Sequence, residues 1–486
     1  MDAPHNVTAA EIVATYEGFR RGRRPARSRA AARAAPAAGA ADALYALRPG
    51  EIWEFLKTQP ASFWLICGYL FLEYVRPQSI YDSLVGPPWA LICVILTVIA
   101  YLVLEGGRIR LHTVADAMLG AYTVVLLASS VFAWKPEASF AKLQEYFSWV
   151  LIYLLISSIV NTERRFLVFL LSFLVYSFKM SQHGTRSWAQ DGFIFRDWGT
   201  TGAPGWFQNS GEFGVQMCIY LPMVIFFVTA LSPHWGKLTK ALFWTMAVTA
   251  VTGIVASSSR GAVLGLAAVA LWMLLKSRYR ARALLGTALL TVFVLVILPP
   301  EQKARFQTAG TDNTSVNRKE YWKRGREIMR DYPVLGIGYA NWPDYHQANW
   351  GYRALPHNIF LEAGAEMGYT GLLGFVGMIG ATLVVNRRTR KIAQSLPGGG
   401  NRFLHDSAHG LDGALVGFLA SGFFVTVLYY PFFWINLALT SALHNAALDA
   451  RKRAAAAPAE AEEPAGPQLA PAEPRAALAG RGGGWG

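Results

Sequence analysis

From Phe63 onward the chain is organised by runs of apolar residues, each about as long as an α-helix must be to cross a hydrocarbon layer. They lie near 62–80, 87–105, 114–133, 140–160, 164–180, 211–231, 238–257, 261–276, 283–299, 357–385, 410–429 and 432–450. The pattern predicts an all-α fold, a polytopic membrane bundle of about 12 transmembrane helices with a large outward loop that holds an amphipathic helix. The polar connections alternate in charge. Every second one is rich in Lys and Arg: Arg108 and Arg110; Arg164 and Arg165; Lys237 and Lys240; Lys276 to Arg282; Arg387 to Lys391. Basic residues mark the cytoplasmic side, so both termini are expected there. The expected division is a basic, largely disordered tail over 1–60, a membrane domain over 61–450 and a second disordered tail over 451–486. Two outward connections are long, 181–210 and 300–356.

Composition agrees with this reading, with 53% hydrophobic and only 16% charged residues. The ends, rich in Ala, Arg, Pro and Glu, hold too little apolar surface to offset the entropy of ordering them. No cleaved signal peptide is expected, because the first long apolar run begins only near Phe63. Cys67, Cys93 and Cys218 lie in separate apolar runs, a spacing that suits neither a metal site nor a disulfide framework. The formal net charge of +14 sits in short clusters between apolar runs, which orientation in a membrane explains without a nucleic-acid partner.

The loop 300–356 breaks the charge rule, since it carries Lys303, Arg305, Arg318, Lys319, Lys323, Arg324, Arg326, Arg330 and Arg353 on the outward side. Such an excess calls for an anionic partner. Within it, RKEYWKRGREIMRDY (318–332) places Tyr321, Trp322, Ile328 and Met329 on one side of a helix and most charges on the other, as for a helix lying at a membrane–water interface. Arg318 stands at its start, and Pro333, Gly336 and Gly338 end it. His357 and Asn358 follow, where the chain returns to the membrane. A neutral imidazole there can accept a proton from a hydroxyl; the plainer role is that of a helix cap. Glu362 and Glu366, one turn apart in an apolar span, need partners, and basic ones are expected. Gly364, Gly368 and Gly371 read as close helix packing. Arg260 in SSSRGAVLG, and Arg196 with Asp197 ahead of a Gly-rich turn leading to Asn209 and Glu212, are the outward-facing groups nearest the spans. Arginine holds phosphate oxygens bidentately at any relevant pH, so two or more could bind a pyrophosphate and stabilise its charge as it leaves. No D-x-D or clustered His and carboxylate ligands appear in these loops, so neither a metal ion nor any other cofactor is expected.

Arg196 before FxN at 207–209, SRGA at 259–262, R-x3-W at 318–322 followed by DYPVLGIGYANW, and HNIFLEAGAEMGYTG together resemble the O-antigen ligase and O-antigen polymerase family of bacterial membrane glycosyltransferases, which is GT-C-like. The resemblance lies in the order of these motifs across roughly 190–385. It implies a multi-pass protein of the cell inner membrane with its active site on the periplasmic face. The implied donor is an undecaprenyl-pyrophosphate-linked glycan and the acceptor lipid A-core, or a growing glycan for a polymerase; protein O-oligosaccharyltransferases share nearly the same motifs. By the same resemblance His357 is the general base and Arg196, Arg260 and Arg318 hold the pyrophosphate. Asp197, Asn209, Glu212, Trp322, Asn358 and Glu366 are candidate supporting residues. A rival class, a lipid-linked glycan transporter, is disfavoured because the polar motifs cluster on one side and no repeated half is visible.

Overall fold

A computed structural model describes residues 43–194, 199–202, 206–277, 280–297 and 310–456. Each expected apolar run falls on a helix: α2 (Ala61–Tyr74), α3 (Trp89–Glu105), α4 (Val114–Val131), α5 (Pro136–Ile159), α6 (Glu163–Gln190), α7 (Ser210–Leu231), α8 (Lys237–Ala256), α9 (Arg260–Lys276), α10 (Arg280–Ile297), α13 (Ile359–Gln394), α14 (Arg402–Gly422) and α15 (Pro431–Ala456). Helix α1 (Pro49–Lys57) precedes them, and α11 (Asn313–Asp331) and α12 (Trp342–Trp350) lie in the long loop. Among the described residues no strand forms. By length and apolar composition, α4, α6, α7, α8 and α13 are able to cross a membrane, and α3 is a shorter apolar helix.

Helix α7 is the centre of the bundle, packed against α8 on one side and α14 on the other. Helix α14 then contacts α9 and α13, α13 contacts α4 and α15, and α15 contacts α5. Close approach at α14 depends on small residues, as expected where helices meet without water between them. A Cβ at Gly417 would stand 2.6 Å from the Cys218 carbonyl oxygen, and one at Gly413 2.8 Å from Pro222. The outer faces of α3 and α10 expose Leu102, Val103, Leu285 and Val296, surface that suits lipid rather than water. Cys67, Cys93 and Cys218 are buried and unbridged.

Three sequence boundaries move. Residues 43–60, expected within the basic tail, include α1 and Tyr45, whose hydroxyl donates to Glu163 and whose carbonyl accepts from Trp235 Nε1 at 2.8 Å. The C-terminal helix runs six residues beyond the expected end of the membrane domain, to Ala456. Residues 1–42 and 457–486, expected to be disordered, lie outside the described residues. Helix α6 continues through Gln190, so the connection expected over 181–210 starts some ten residues later than 181. This extension is held by side chains: Gly184 faces the Phe213 ring, and Thr185 shares a 2.7 Å hydrogen bond with Thr252.

Candidate active site

The connection after α8 is a tight turn, and the Ser259 hydroxyl caps α9 by accepting from the Ala262 N–H at 3.3 Å. Arg260 is therefore the first residue of a capped helix. Its guanidinium meets Asp312 in a fork, Nη1 to Oδ2 at 2.8 Å and Nη2 to Oδ1 at 3.2 Å. Asp312 is in turn the cap of α11, accepting from the Ser315 N–H at 3.0 Å and the Ser315 hydroxyl at 2.8 Å. One carboxylate thus ties the start of α9 to the start of α11, and the Arg260 hydrogen bond, joined by those from Ser315, holds it well below the usual carboxylate range.

Arg318 lies in the second turn of α11, beyond the start expected for it, close enough to Arg260 and Asp312 to feel both charges. Burial, then Arg260, pushes its pKa down. Its Nε is buried without a hydrogen-bond partner. A guanidinium that is half withdrawn from water with an unused donor suits an anion.

His357 adopts φ 50°, the left-handed region that a non-glycine residue seldom enters and that costs energy unless its surroundings impose it. Its N–H donates to the Thr426 hydroxyl at 2.9 Å, and its ring lies 6.5 Å from that of Tyr321. Burial first, and Arg318's charge second, lower the imidazole to about 4. It is neutral at physiological pH. The capping role belongs to the next residue, since the Asn358 side chain accepts from the N–H groups of Phe360 and Leu361 at 2.9 and 3.0 Å. Asn358 thus caps α13, and His357 is left with its ring uncommitted to the helix start.

Other expected site residues also make local structural contacts. Asn209 and Glu212 form a reciprocal capping box at the start of α7, with Glu212 also accepting from the Tyr430 hydroxyl at 3.1 Å. They line a cavity of about 350 Å³ together with Gly199, Thr201, Gln208 and Tyr430. The start of α7 also approaches that of α9, because a Cβ on Gly211 would stand 3.8 Å from Ser259 Oγ. Trp322 packs against Phe423 at 5.3 Å between ring centroids, with its indole N–H buried and unpartnered. Arg196 and Asp197 lie outside the described residues.

The basic partners expected for Glu366 are not what it finds. Its carboxylate accepts from the backbone N–H groups of Ala340 and Trp342, at 2.9 and 3.2 Å, and from the Tyr429 hydroxyl at 3.2 Å. The GIGYANW stretch is what this carboxylate grips. Gly338 N–H donates to the Glu366 carbonyl at 2.8 Å, so the loop is laced against α13 by main chain as well. Gly368 packs closely, since a Cβ there would sit 2.4 Å from the Val334 carbonyl, and it also breaks the helix, with φ at 69°. Gly364 also packs closely, against Met329. Glu362 is buried with Oε2 unpaired.

The amphipathic pattern of α11 is also explained from within the protein. Gly325 and Met329 meet Leu361 and Gly364 of α13, so much of the apolar face is covered by protein rather than left for lipid. Part of the loop's basic excess is neutralised internally, by Glu320 on Arg324 at 3.1 Å and by Asp344 on Arg353, while Asp312 and Asp344 also reach out of the loop to Arg260 and Lys135. Sequence reasoning missed Asp312 and Thr426, which orient the arginine and the histidine. It also missed His346, whose Nδ1 must donate to the Tyr352 carbonyl at 2.7 Å while Nε2 accepts from Arg324 at 2.7 Å, a neutral ring by geometry. The D-x-x-S pattern of 312–315 was the available signal for the cap.

Residues 245–376 match the sequence model of the family described as O-antigen ligase. A comparison with curated proteins finds no match. The matched segment takes in Arg260, Arg318 and His357, so over that stretch the chain is similar to the O-antigen ligase family.

Proposed function

We propose that the protein is a glycosyltransferase of the periplasmic face of the bacterial inner membrane, moving a glycan from undecaprenyl pyrophosphate to lipid A-core. The observation that carries this reading is the convergence of His357, Arg318 and Arg260, residues far apart in the chain, in one electrostatic neighbourhood with the imidazole neutral. Arg260 and Arg318 hold the donor's pyrophosphate, with Arg196 a third ligand from the Gly-rich connection. The acceptor hydroxyl gives its proton to His357, its oxygen attacks the anomeric carbon, and the bond from that carbon to the pyrophosphate oxygen breaks. The pyrophosphate leaves with the bonding pair, and the configuration at carbon inverts. The arginines supply the charge stabilisation, so the reaction is metal-independent.

The electrostatics give the sequence of events a physical logic. Before the donor binds, Arg318's charge helps keep His357 a weak base. An anionic pyrophosphate on Arg318 offsets that charge and raises the imidazole's affinity for a proton when one must be taken. The basic connections on the opposite side supply the orientation, with both termini cytoplasmic.

The test is reconstitution: purified protein, an undecaprenyl-pyrophosphate-linked glycan, and lipid A-core, a second donor molecule or a protein offered as acceptor. Glycosylated lipid A-core is expected. A lengthened lipid-linked glycan would make the protein a polymerase and a glycoprotein an oligosaccharyltransferase. Movement of intact donor across a vesicle without transfer would overturn the enzyme reading.

A further inference from the structure

We propose that Asp312 is a specificity-determining residue, an internal anion that keeps monoanionic lipid phosphates out of the arginine site and yields it to a ligand carrying two phosphate charges. The inference rests on the reading of Arg260 and Arg318 as pyrophosphate ligands and deepens it.

Arginines at the outer edge of a membrane face a standing problem. Phospholipid headgroups surround them at high local concentration, each offering a phosphate with one negative charge, and a guanidinium fork fits any phosphate. A bare pair of arginines would collect lipid. Here the fork of Arg260 is already matched by both oxygens of Asp312, at 2.8 and 3.2 Å. A monoanionic headgroup would have to expel a tethered carboxylate of equal charge, a gain of nothing in Coulomb terms against an intramolecular competitor. A pyrophosphate diester carries one charge on each phosphate. One phosphate can replace Asp312 on Arg260 while the other takes Arg318, whose buried Nε has no partner. Only the two-charge ligand can replace Asp312 on Arg260 and engage Arg318 at once. Asp312 is suited to exchange partners because it has a second set: the N–H and hydroxyl of Ser315, at the start of α11, which remain when Arg260 is withdrawn.

The substitution Asp312→Asn separates charge from structure, since asparagine caps a helix as well as aspartate does. Purified wild-type protein, Asp312→Asn and Arg260→Ala are compared in a neutral detergent, with two probes: phosphatidylglycerol and undecaprenyl pyrophosphate. Asp312→Asn is expected to bind phosphatidylglycerol about ten-fold more tightly than wild type, the step expected when a charge-assisted competitor is removed. Phosphatidylglycerol should then compete with undecaprenyl pyrophosphate in the variant and not in the wild type. Unchanged phosphatidylglycerol binding in a folded Asp312→Asn protein overturns the proposal. Weaker binding of both lipids also overturns it, because Asp312 would then be holding Arg260 in place rather than competing for it. Failure of the underlying reading looks different: Arg260→Ala would bind undecaprenyl pyrophosphate as tightly as wild type.

Discussion

Glu366→Gln changes one oxygen to an NH₂ and leaves the side chain's size and reach intact, which makes it a sharp probe of how the loop before α12 is held. Both carboxylate oxygens accept: Oε2 from the Ala340 N–H and the Tyr429 hydroxyl, Oε1 from the Trp342 N–H. A glutamine must turn its nitrogen toward one of these donor sets. The better orientation keeps the two bonds at Oε2 and sets an NH₂ against the Trp342 N–H, in a position where Trp342 is 1% exposed. That leaves a buried donor unpaired, worth about 1–3 kcal/mol. Glu366→Ala strands all three donors and is expected to cost roughly two to three times as much. Thermal unfolding of detergent-purified protein should show a fall of a few degrees for Gln and a larger one for Ala, with 333–342 becoming the first site of protease cleavage. Turnover per folded molecule should stay near wild type for Gln. An unchanged melting temperature together with a large loss of turnover would refute the clamp and make Glu366 a participant in the chemistry.

Four further outcomes follow from the sequence and the geometry. Gly368→Ala puts a Cβ 2.4 Å from the Val334 carbonyl at φ 69°, so a loss of at least about 1–3 kcal/mol from backbone strain alone is expected, read as poor yield or a lowered melting temperature. Arg318→Ala removes a charge that lowers His357, so the acid limb of the pH–rate profile should move upward toward the ordinary histidine value of about 6.5; an unmoved limb would break the link between the two residues. The depressed His357 makes the folded protein less able to bind a proton than the unfolded chain between about pH 6.5 and 4. Its contribution to stability is therefore complete above that window and declines as pH falls through it, a slope that His357→Gln should flatten. Cysteines at the exposed positions Thr314 and Gln347 should react with an impermeant maleimide from the side opposite the exposed Lys391; labelling from the same side would reverse the proposed orientation.

The helices were legible because apolar runs of this length have few alternative folds, and each run did become a helix. Asn209 and Ser259 are of residue types that favour helix starts, and each caps one. The pairings were not legible. Arg260 and Asp312 are 52 residues apart with no periodic pattern to join them, and only packing of α11 on α13 brings Asp312 to the start of α9. Glu366 was legible as a buried carboxylate in need of partners, but backbone N–H groups leave no mark in a sequence. Asp412, deep in α14, is similar: its partner is Arg390 of the preceding helix, at 2.5 Å, and an arginine read as a marker of the inward side also closes a buried ion pair. His357 was placed correctly at the mouth of α13, yet its left-handed backbone and the adjacent cap at Asn358 needed coordinates.

The central claim is that His357 takes the acceptor's proton. The direct measurement is single-turnover transfer by purified wild-type, His357→Ala and His357→Gln proteins, each corrected for its folded fraction and for donor bound. Because Asn358 rather than His357 caps α13, both variants are expected to fold and to bind undecaprenyl-pyrophosphate glycan, while transfer falls by roughly 10²- to 10⁴-fold, the loss expected for a positioned general base. Donor bound normally and transferred at near wild-type rate by both variants would contradict the account.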